Sequence, residues 1–579
     1  MNYPKLRELK TIREWQDEFR GYNHNLRIDE NEFYEMTNLS SDHYPLLSPR
    51  GKRGIFATPN QPQGMIAKDG LCYIDGTDFV MDHTRIAMDF TIDTQPKTLI
   101  SMGVYVIIMP DKKYINTMDI TDRGNIEAIY QSTSAVEFTL CKSDGTNYEN
   151  VKIQTTEPEN PENLALWLDI SEHPYYLKQF SGLSESWNII PQTYIKITAP
   201  GIGLPFSEGD GVQITGITDS NLKQMLQTSI IQTKNHDFLV CKGILEKKIS
   251  QTNPITVTRK MPDMDFIIES GNRLWGCRYG TESNGKTVNA LYASKSGDFR
   301  NWYCLTENSD ASYMISVGTD GPFTGAVTHL GYPIFFKENC IHKIYGNAPT
   351  NFQIQTTALR GVQKGCSRSI AIVNEVLYYK SRSSICAYDG SLPLEISFAL
   401  GDLAYHHAVA GTLGNKYYIS MADSKGDYHL FVYDTVKKMW HKEDDTEASD
   451  FCHCGGDLYY IDRATNQIRT IKGTGVIETT PIRWSATTGI IGTDMPDKKY
   501  ISRMDVRMKL DVGARAAFYA EYDSSGDFEY LFTMTGKNLQ SFSLPIRPKR
   551  CDHLRLRIVG TGEAKIFSIC KTIEWGSDL

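Results

Sequence analysis

The chain has 579 residues, of which 40% are hydrophobic and 22% charged, and a formal net charge of −8. This length exceeds what one hydrophobic core usually supports, so it predicts several domains or one ring of repeated sheets. The dispersed negative charge argues against a surface that grips nucleic acid through many phosphate contacts, and the apolar content excludes a disordered chain.

The N-terminal region is predicted to be a short amphipathic helix followed by an extended arm. Residues 5–20 have the charge and apolar spacing of a helix, and they lack the apolar core of a signal peptide. The stretch NEFYEMTNLSSDHYPLLSPRGKRGIF (31–56) is polar and rich in turns, and its end carries Arg50, Lys52 and Arg53. We expect its prolines and turns to keep it from joining a sheet early.

Short apolar runs separated by Gly, Asp, Asn and Pro predict strands over most of the remaining chain. Several hairpins share one form, in which an apolar strand ends in Asp, turns and re-enters an apolar strand: LCYIDGTDFVM, ICAYDGSLPLEI, LFVYDTVKKMWHKE and LYYIDRATNQIRTI. Since an Asp in a turn bonds nearby backbone amides, we expect Asp75, Asp389, Asp434 and Asp462 to hold turns. We expect the ring of Trp440 to pack between adjacent sheets.

These hairpins recur every 40 to 50 residues, which is the period of propeller blades. We therefore predict an all-β protein built on a β-propeller of six or seven blades, because ring closure removes exposed sheet edges. The period breaks twice, which predicts an inserted small β-barrel and a C-terminal β-sandwich. The predicted boundaries are 1–62 for the N-terminal helix and arm, 63–120 for the first blade, 121–262 for the insert, 263–473 for the remaining blades and 474–579 for the sandwich.

The segment SKSGDFRNW (294–302) resembles the Asp-box hairpin of sialidases, although Gly297 and Asp298 stand in reversed order. In sialidases this hairpin is structural and lies away from the sugar site. We therefore expect Asp298 and Trp302 to hold a blade turn, and no set of residues marks a sialic-acid pocket.

Neither a metal nor a cofactor is expected. Cys452, His453 and Cys454 form one CxC without a second ligand pair, so we interpret them as strand residues and not as a zinc site. Adjacent strand residues such as His406 and His407 point to opposite faces, and no nucleotide-binding or nucleophile motif occurs. His441, Asp444 and Asp445 are interpreted as loop or interface residues, so no catalytic residue is predicted.

The longest apolar run, LISMGVYVIIM (99–109), is too short to span a bilayer as a helix, so no membrane anchor is expected. The twelve cysteines are scattered, which is typical of buried thiols in a reducing compartment. We therefore expect synthesis in a cytoplasm.

The opening stretch and three later segments resemble one family. The opening contributes Asn38, Pro45, Pro49, Arg50 and Arg53, and the later segments are NRLWGCRYG, LYASKSGDFRNWY and GYPIFFKENCIHKIYG. Together they resemble the tail nozzle proteins of short-tailed bacteriophages, the relatives of tail tubular protein B. The likeness covers residues 25–475 loosely, and the insert and C-terminal region fall outside it.

This resemblance implies a structural protein of a virion tail and not an enzyme. Copies of the chain would form a ring, expected to be a hexamer, around the channel through which genomic DNA leaves without sequence-specific binding. Portal, adaptor and other tail proteins would be its partners. Arg50, Lys52 and Arg53 would then form an arm that contacts a neighbouring subunit, and the alternative for them is an ordinary solvated loop.

Two other functions stay open. The first is a receptor- or carbohydrate-binding propeller at a tail tip, for which aromatic residues should cluster on one exposed face. The second is a glycoside hydrolase or sialidase, which the missing signal peptide and missing site motif do not favour.

Overall fold

The computed structural model describes residues 11–90, 96–281, 285–306, 308–492, 499–545 and 550–574. Nearly every regular element in these residues is a strand, so the all-β prediction is confirmed. The chain divides into two compact units. Unit 1 comprises Met1–Thr98, Phe335–Ile341 and Thr356–Leu579, and unit 2 comprises Leu99–Ile334 and His342–Gln355.

Seven sheets follow one another along the chain outside the insert and the C-terminal region, and the first six have four strands each. Sheets 1 and 2 are formed by Pro62–Ala67, Leu71–Asp75, Asp78–Met81 and Thr84–Ala87, and by Thr98–Met102, Tyr105–Met109, Lys113–Asn116 and Arg123–Asn125. Sheets 3 and 4 are formed by Phe266–Ser270, Arg273–Thr281, Thr287–Ala293 and Tyr313–Ser316, and by Gly325–His329, Tyr332–Lys337, Cys340–Tyr345 and Gln353–Ala358. Sheets 5 and 6 are formed by Ala371–Val373, Val376–Lys380, Ile385–Tyr388 and Leu394–Glu395, and by His406–Leu413, Lys416–Ala422, Tyr428–Asp434 and Met439–Lys442.

Sheet 7 contains one strand that precedes sheet 1 in the chain. Its strands are Ala448–Cys454, Asp457–Asp462, Gln467–Thr470, Gly54–Ala57 and Val476–Ile477, in that order. The fourth of them precedes sheet 1 in the chain and pairs antiparallel with the third. Residues 63–120 were expected to hold one blade. They contain nearly all of sheet 1, which begins at Pro62, and most of sheet 2, which ends at Asn125.

Hydrophobic cores lie between successive sheets within each unit. In unit 1, sheets 1 and 7 share a core that contains Tyr73, Val80 and Ile461. In unit 2, sheets 2 and 3 share a core that contains Ile107 and Trp302. Inner strands such as Leu71–Asp75 and Lys416–Ala422 are buried on both faces for this reason, which explains their nearly continuous apolar sequences.

The insert in unit 2 contains two sheets and the only α-helix of the described residues, Ser220–Leu226. Its larger sheet runs in the order Ala128–Gln131, Thr256–Arg259, Gly211–Thr215, Thr228–Asn235, Phe238–Lys242, Tyr194–Thr198, Val136–Cys141 and Ile249–Gln251. The smaller sheet contains Val151–Gln154, Leu166–Asp169, Tyr176–Ser181 and Ser186–Ile189. A barrel was expected here, and the larger sheet wraps an apolar core while its first and last strands remain edges.

The strands of the C-terminal region, where a sandwich of two sheets was expected, are connected by hydrogen bonds into one sheet. Its strands are Thr11–Gln16, Phe33–Thr37, Arg483–Thr488, Lys499–Tyr522, Glu529–Leu544, Arg550–Cys551, Leu554–Thr561 and Ala564–Glu574. The 24-residue strand is interrupted in its pairing on both sides between Leu510 and Arg515. Gly513 and Gly562, with φ of 85° and 82°, lie at this interruption, so one bent sheet takes the place of two.

The predicted N-terminal helix is wrong where the structure describes it. Residues 11–16 form a strand that pairs with Ala564–Glu574, and residues 1–10 lie outside the described residues. Exposed and half-buried side chains alternate along this strand, which is the period of a sheet edge. The arm also joins this sheet early, because Phe33–Thr37 pairs with Arg483–Thr488.

Four further short elements complete the description. Leu39–Ser40 and Ser48–Pro49 form a two-stranded ladder, and two 3-10 turns span Ser367–Ser369 and Phe398–Leu400. Among the described helices, none is long and apolar enough to cross a membrane.

Candidate functional site

A junction within unit 1, centred on Asn38, brings together Asn38, Arg50 and Arg53, three of the five residues of the opening stretch that carry the resemblance. Asn38 has a φ of 56°, a left-handed conformation that Asn tolerates better than most residues. Its side-chain amide donates to the carbonyl oxygen of Arg483 at 2.8 Å, and its Oδ1 accepts from Nε of Arg50 at 2.8 Å. Its backbone N–H donates to the carbonyl oxygen of Glu443. The junction therefore ties the arm to sheet 6 and to the C-terminal sheet.

Arg53 lies at the buried end of this junction and is only 1% exposed. Its guanidinium pairs with Glu443 at 2.6 Å and with Asp444 at 2.8 Å, and donates to the hydroxyl of Tyr460 at 3.1 Å. Burial would raise the pKa of Asp444, but the Arg53 and Arg50 guanidiniums outweigh burial and lower it. Asp444 is therefore a partly buried member of this ion cluster, whereas Asp445 is exposed, as the sequence predicted for both.

The three basic residues predicted to contact a neighbouring subunit have different surroundings. Arg50 and Arg53 are buried and paired within their own chain, which explains why both are arginines. Neither side chain is available to a neighbour, so this part of the expectation is corrected. Lys52 is exposed, so among these three residues only Lys52 can still contact a neighbouring subunit.

The predicted turn aspartates accept bonds from backbone amides, with one difference. Asp298, Asp389, Asp434 and Asp462 accept from the N–H of Arg300, Ser391, Val436 and Ala464, each two residues on. Asp75 instead accepts from the N–H of Gln61 at 2.8 Å and pairs with Arg85.

The two predicted tryptophans are buried. Trp302 is 3% exposed and donates to the carbonyl oxygen of Phe299 at 2.9 Å, in the core between sheets 2 and 3. Trp440 is 2% exposed, and its indole N–H donates at 2.7 Å to the carbonyl oxygen of Ile396, which follows sheet 5. Trp440 therefore links sheets 5 and 6 within unit 1.

The histidine and cysteine candidates do not form a metal site. A bulge after His406 and a φ of 51° at His407 bring their rings to 4.8 Å, whereas the sequence predicted opposite faces. Cys452, His453 and Cys454 lie on one strand of sheet 7. Within the described ranges, no group of three or more His, Cys, Asp or Glu side chains is arranged to hold a metal ion.

A pocket of about 360 Å³ lies in the insert, and no sequence motif indicated it. Three segments line it: the loop His173–Tyr175, the helix Ser220–Leu226 with its cap, and residues 244–249. The pocket volume is within the range of roughly 300 to 1,000 Å³ typical of small-ligand sites. Asp219 fixes the helix by accepting from the N–H of Asn221 at 3.0 Å and of Leu222 at 2.9 Å.

The pocket combines an aromatic surface with carboxylate and amide groups. The rings of His173 and Tyr175 stack with centroids 4.0 Å apart. Burial and the neighbouring Glu246 carboxylate, which accepts from the phenol, raise the pKa of Tyr175. Asn221 and Gln224 add amides, and Leu245 adds an apolar wall. Such a site can bind a ligand that has both an apolar face and several hydroxyl groups.

A groove of about 1180 Å³ continues from this pocket, with Pro174, Tyr175, Met225 and Ile244 lining both. Four tyrosines line the groove: Tyr175, Tyr176, Tyr194 and Tyr303. Its other polar lining residues include the amides Gln192, Gln232 and Asn308 and the cations Lys242 and Lys295. Lys295 pairs with Asp310 at 3.4 Å. Lys242 is exposed and faces Tyr194 across neighbouring strands.

Comparison with known proteins gives fold-level likeness only. No protein-family model and no curated protein matches the chain. Among solved structures, an exo-beta-1,3-galactanase from Phanerochaete chrysosporium aligns with 53% of this chain and 94% of its own at 8% identity and a TM-score of 0.21. PorZ, a surface component of the type-IX secretion system of Porphyromonas gingivalis, aligns with 89% of this chain and 82% of its own at 10% identity and a TM-score of 0.24. An engineered family 43 glycoside hydrolase with endo-xylanase and exo-arabinofuranosidase activity covers 53% and 97% at 10% identity, with a TM-score of 0.19.

The expectation that the chain is not an enzyme is contradicted by these neighbours, because the galactanase and the family 43 hydrolase are enzymes. None of the three names concerns a phage. All three TM-scores are below 0.5, so these neighbours carry no argument for a particular activity of this chain.

Proposed function

We propose that this chain is a structural protein of a bacteriophage tail, a ring-forming nozzle component of the channel through which the genome leaves. The virion would be its location, and portal, adaptor and other tail proteins would be its partners. The proposal includes a propeller of seven blades, sheets 1 to 7, in which the strand Gly54–Ala57 completes the last blade.

The observation that carries this proposal is the junction at Asn38. Asn38, Arg50 and Arg53 carry the family resemblance, and each has a contact that depends on its residue type. A resemblance that came from chance loop composition would not require a left-handed Asn, a side-chain bond to Arg50 and a buried Arg53. These residues specify a fold, which is what members of a structural family share.

Ring formation is consistent with the charge of the chain. A head-to-tail interface that closes upon itself gives a ring, and the net charge of −8 disfavours adhesion to passing DNA. Exposed Lys52 is the arm residue left to contact a neighbouring copy.

The test is to purify phage particles that carry the gene and to image the recombinant chain. We expect peptides of the chain in the particles after a density gradient, and closed rings in negative-stain images. A chain that is absent from purified particles, or that stays a monomer with its portal and adaptor partners present, would exclude the proposal.

A second candidate function is carbohydrate binding, which the pocket in the insert favours. The stacked His173 and Tyr175 rings offer a face to a sugar ring, and Glu246 and Gln224 offer hydrogen-bonding groups. This function does not depend on the tail proposal. An array of bacterial surface polysaccharides tests it, and we expect Tyr175→Ala to weaken about tenfold the binding that the unmodified chain shows.

A further inference from the structure

The pocket and the groove in unit 2 are continuous, and together they exceed the size of a site for one small ligand. The groove alone, at about 1180 Å³, lies above the usual range for such sites. Tyr175 and Met225 line both parts, so a ligand can pass from one to the other without leaving the surface. A chain of several units therefore fits the site better than a single unit.

The chemistry of the lining favours a sugar chain over a peptide. Four tyrosines present aromatic surface along the groove, and Gln192, Gln232 and Asn308 lie between them with amide groups. An amide both donates and accepts hydrogen bonds, as a sugar hydroxyl does.

The two ends of the site differ in charge. The pocket contains two carboxylates, Asp219 and Glu246, and one ammonium, Lys247, so its excess negative charge disfavours an anionic unit. The groove contains Lys242 and Lys295, and only Lys295 forms an ion pair, with Asp310. Lys242 makes no ion pair within the described part of the chain. Lys242 lies opposite Tyr194 on the neighbouring strand, so both side chains lie on the same face of the sheet, and a sugar that covers Tyr194 would bring its substituent near the charge.

We propose that this site binds an acidic oligosaccharide lengthwise, with a neutral sugar in the pocket and a sugar bearing an anionic group beside Lys242. The inference rests on the second candidate function and deepens it by naming the ligand class. It predicts that chains of four or more units bind more tightly than disaccharides, because only the longer chains reach both ends.

The experiment uses the full chain on an array of bacterial surface polysaccharides, in which each acidic member is paired with its carboxyl-reduced or dephosphorylated form. For an acidic ligand, we expect Lys242→Gln to weaken binding about three- to fivefold and to leave the neutralised form unaffected. We expect Tyr175→Ala to weaken both forms about tenfold. Lys152→Gln is the matched control, because Lys152 is exposed on the smaller sheet and does not line the groove.

The outcomes separate this inference from the function on which it rests. Binding of neutral glycans alone, sensitive to Tyr175→Ala and indifferent to Lys242→Gln, would overturn the acidic ligand and leave carbohydrate binding intact. Binding of no polysaccharide by a chain that unfolds cooperatively would overturn both. Tyr175→Phe, which keeps the ring and loses the bond to Glu246, provides a folded variant if Tyr175→Ala does not fold, and we expect it to retain part of the affinity. Loss of acidic-glycan binding in the Lys152→Gln control would show that the attraction is general charge and would also overturn the inference.

Discussion

Arg50 is bonded to Asn38 twice: its backbone N–H donates to the Asn38 carbonyl oxygen at 2.9 Å, and its Nε donates to Asn38 Oδ1 at 2.8 Å. The two residues are twelve positions apart and flank the hairpin Leu39–Pro49. The two hydrogen bonds between them therefore close this loop. A lysine at position 50 could not reproduce it, since the ammonium lacks a planar fork that reaches Asn38 and two carboxylates together.

Replacement of Asn38 by Ala should destabilise unit 1 by about 2–4 kcal/mol. The change removes the side-chain bonds to Arg50 and Arg483, each of which contributes about 1 kcal/mol, and it places Ala at a positive φ, which costs about 1–2 kcal/mol. Asn38→Gly loses the same bonds without the backbone cost, so it should be less destabilised than Asn38→Ala. Urea unfolding monitored by tryptophan fluorescence measures both. Asn466→Ala is the control, because Asn466 has a φ of 55° in an exposed turn and should show the backbone cost alone.

Arg53→Met should destabilise the chain by about 3–5 kcal/mol, because it leaves Glu443 and Asp444 without their buried partner. Since the exposed Lys52 has no such role, Lys52→Glu should change the free energy of unfolding by less than about 0.5 kcal/mol. Denaturant midpoints give the comparison. Ring assembly of the Lys52→Glu variant then tests the subunit-contact role without a folding defect, and equal stability of the two variants would contradict the burial of Arg53.

Local chemistry made part of the fold predictable. The hairpins that contain Asp389 and Asp434 were predicted because an Asp at a strand end bonds the following amides, and this requires no knowledge of distant residues. The strand Thr11–Gln16 was not predicted, because its short sequence fits a helix equally well and the deciding partner lies more than 500 residues away at Ala564–Glu574. Gly54 was likewise read as part of a loop, since nothing nearby shows that sheet 7 lacks a strand.

The pocket was beyond prediction for a similar reason. Tyr175, Gln224 and Glu246 lie in three separate segments, and none of them belongs to a motif with fixed spacing. Tyr175 precedes a strand of the smaller sheet, Gln224 lies on the helix, and Glu246 precedes a strand of the larger sheet, so only the tertiary fold of the insert brings them together. The residues that the sequence did mark, Arg50 and Arg53, proved to hold the fold together, because a buried ion cluster and a contact arm have the same residue composition.

Gly54→Ala should detach the strand Gly54–Ala57 from sheet 7. A Cβ at position 54 would overlap the carbonyl oxygen of Thr474 and the Oγ1 of Thr470, so the strand must shift at a cost of about 1–3 kcal/mol. Gly51→Ala is the matched control, since a Cβ there meets nothing within 4 Å. Limited proteolysis should cut the Gly54→Ala variant near residues 51–57 and leave the Gly51→Ala variant intact. Equal protection of both variants would show that this strand does not depend on the close approach.

The stability of unit 1 should fall as the pH is lowered from 7 to 5, because His441 is buried and neutral. Burial and, to a lesser extent, Lys416 lower the pKa of His441 to about 3, whereas an unfolded His titrates near 6.5. The unfolded chain therefore binds the proton first, and the free energy of unfolding decreases as pH falls from about 6.5 toward 3. Between pH 7 and pH 5 the loss should be about 2 kcal/mol. Urea midpoints at the two pH values measure it. His441→Gln should remove this part of the pH dependence, and His453→Gln, at an exposed position, should keep it. An unchanged pH dependence in the His441→Gln variant would mean that other groups account for the loss.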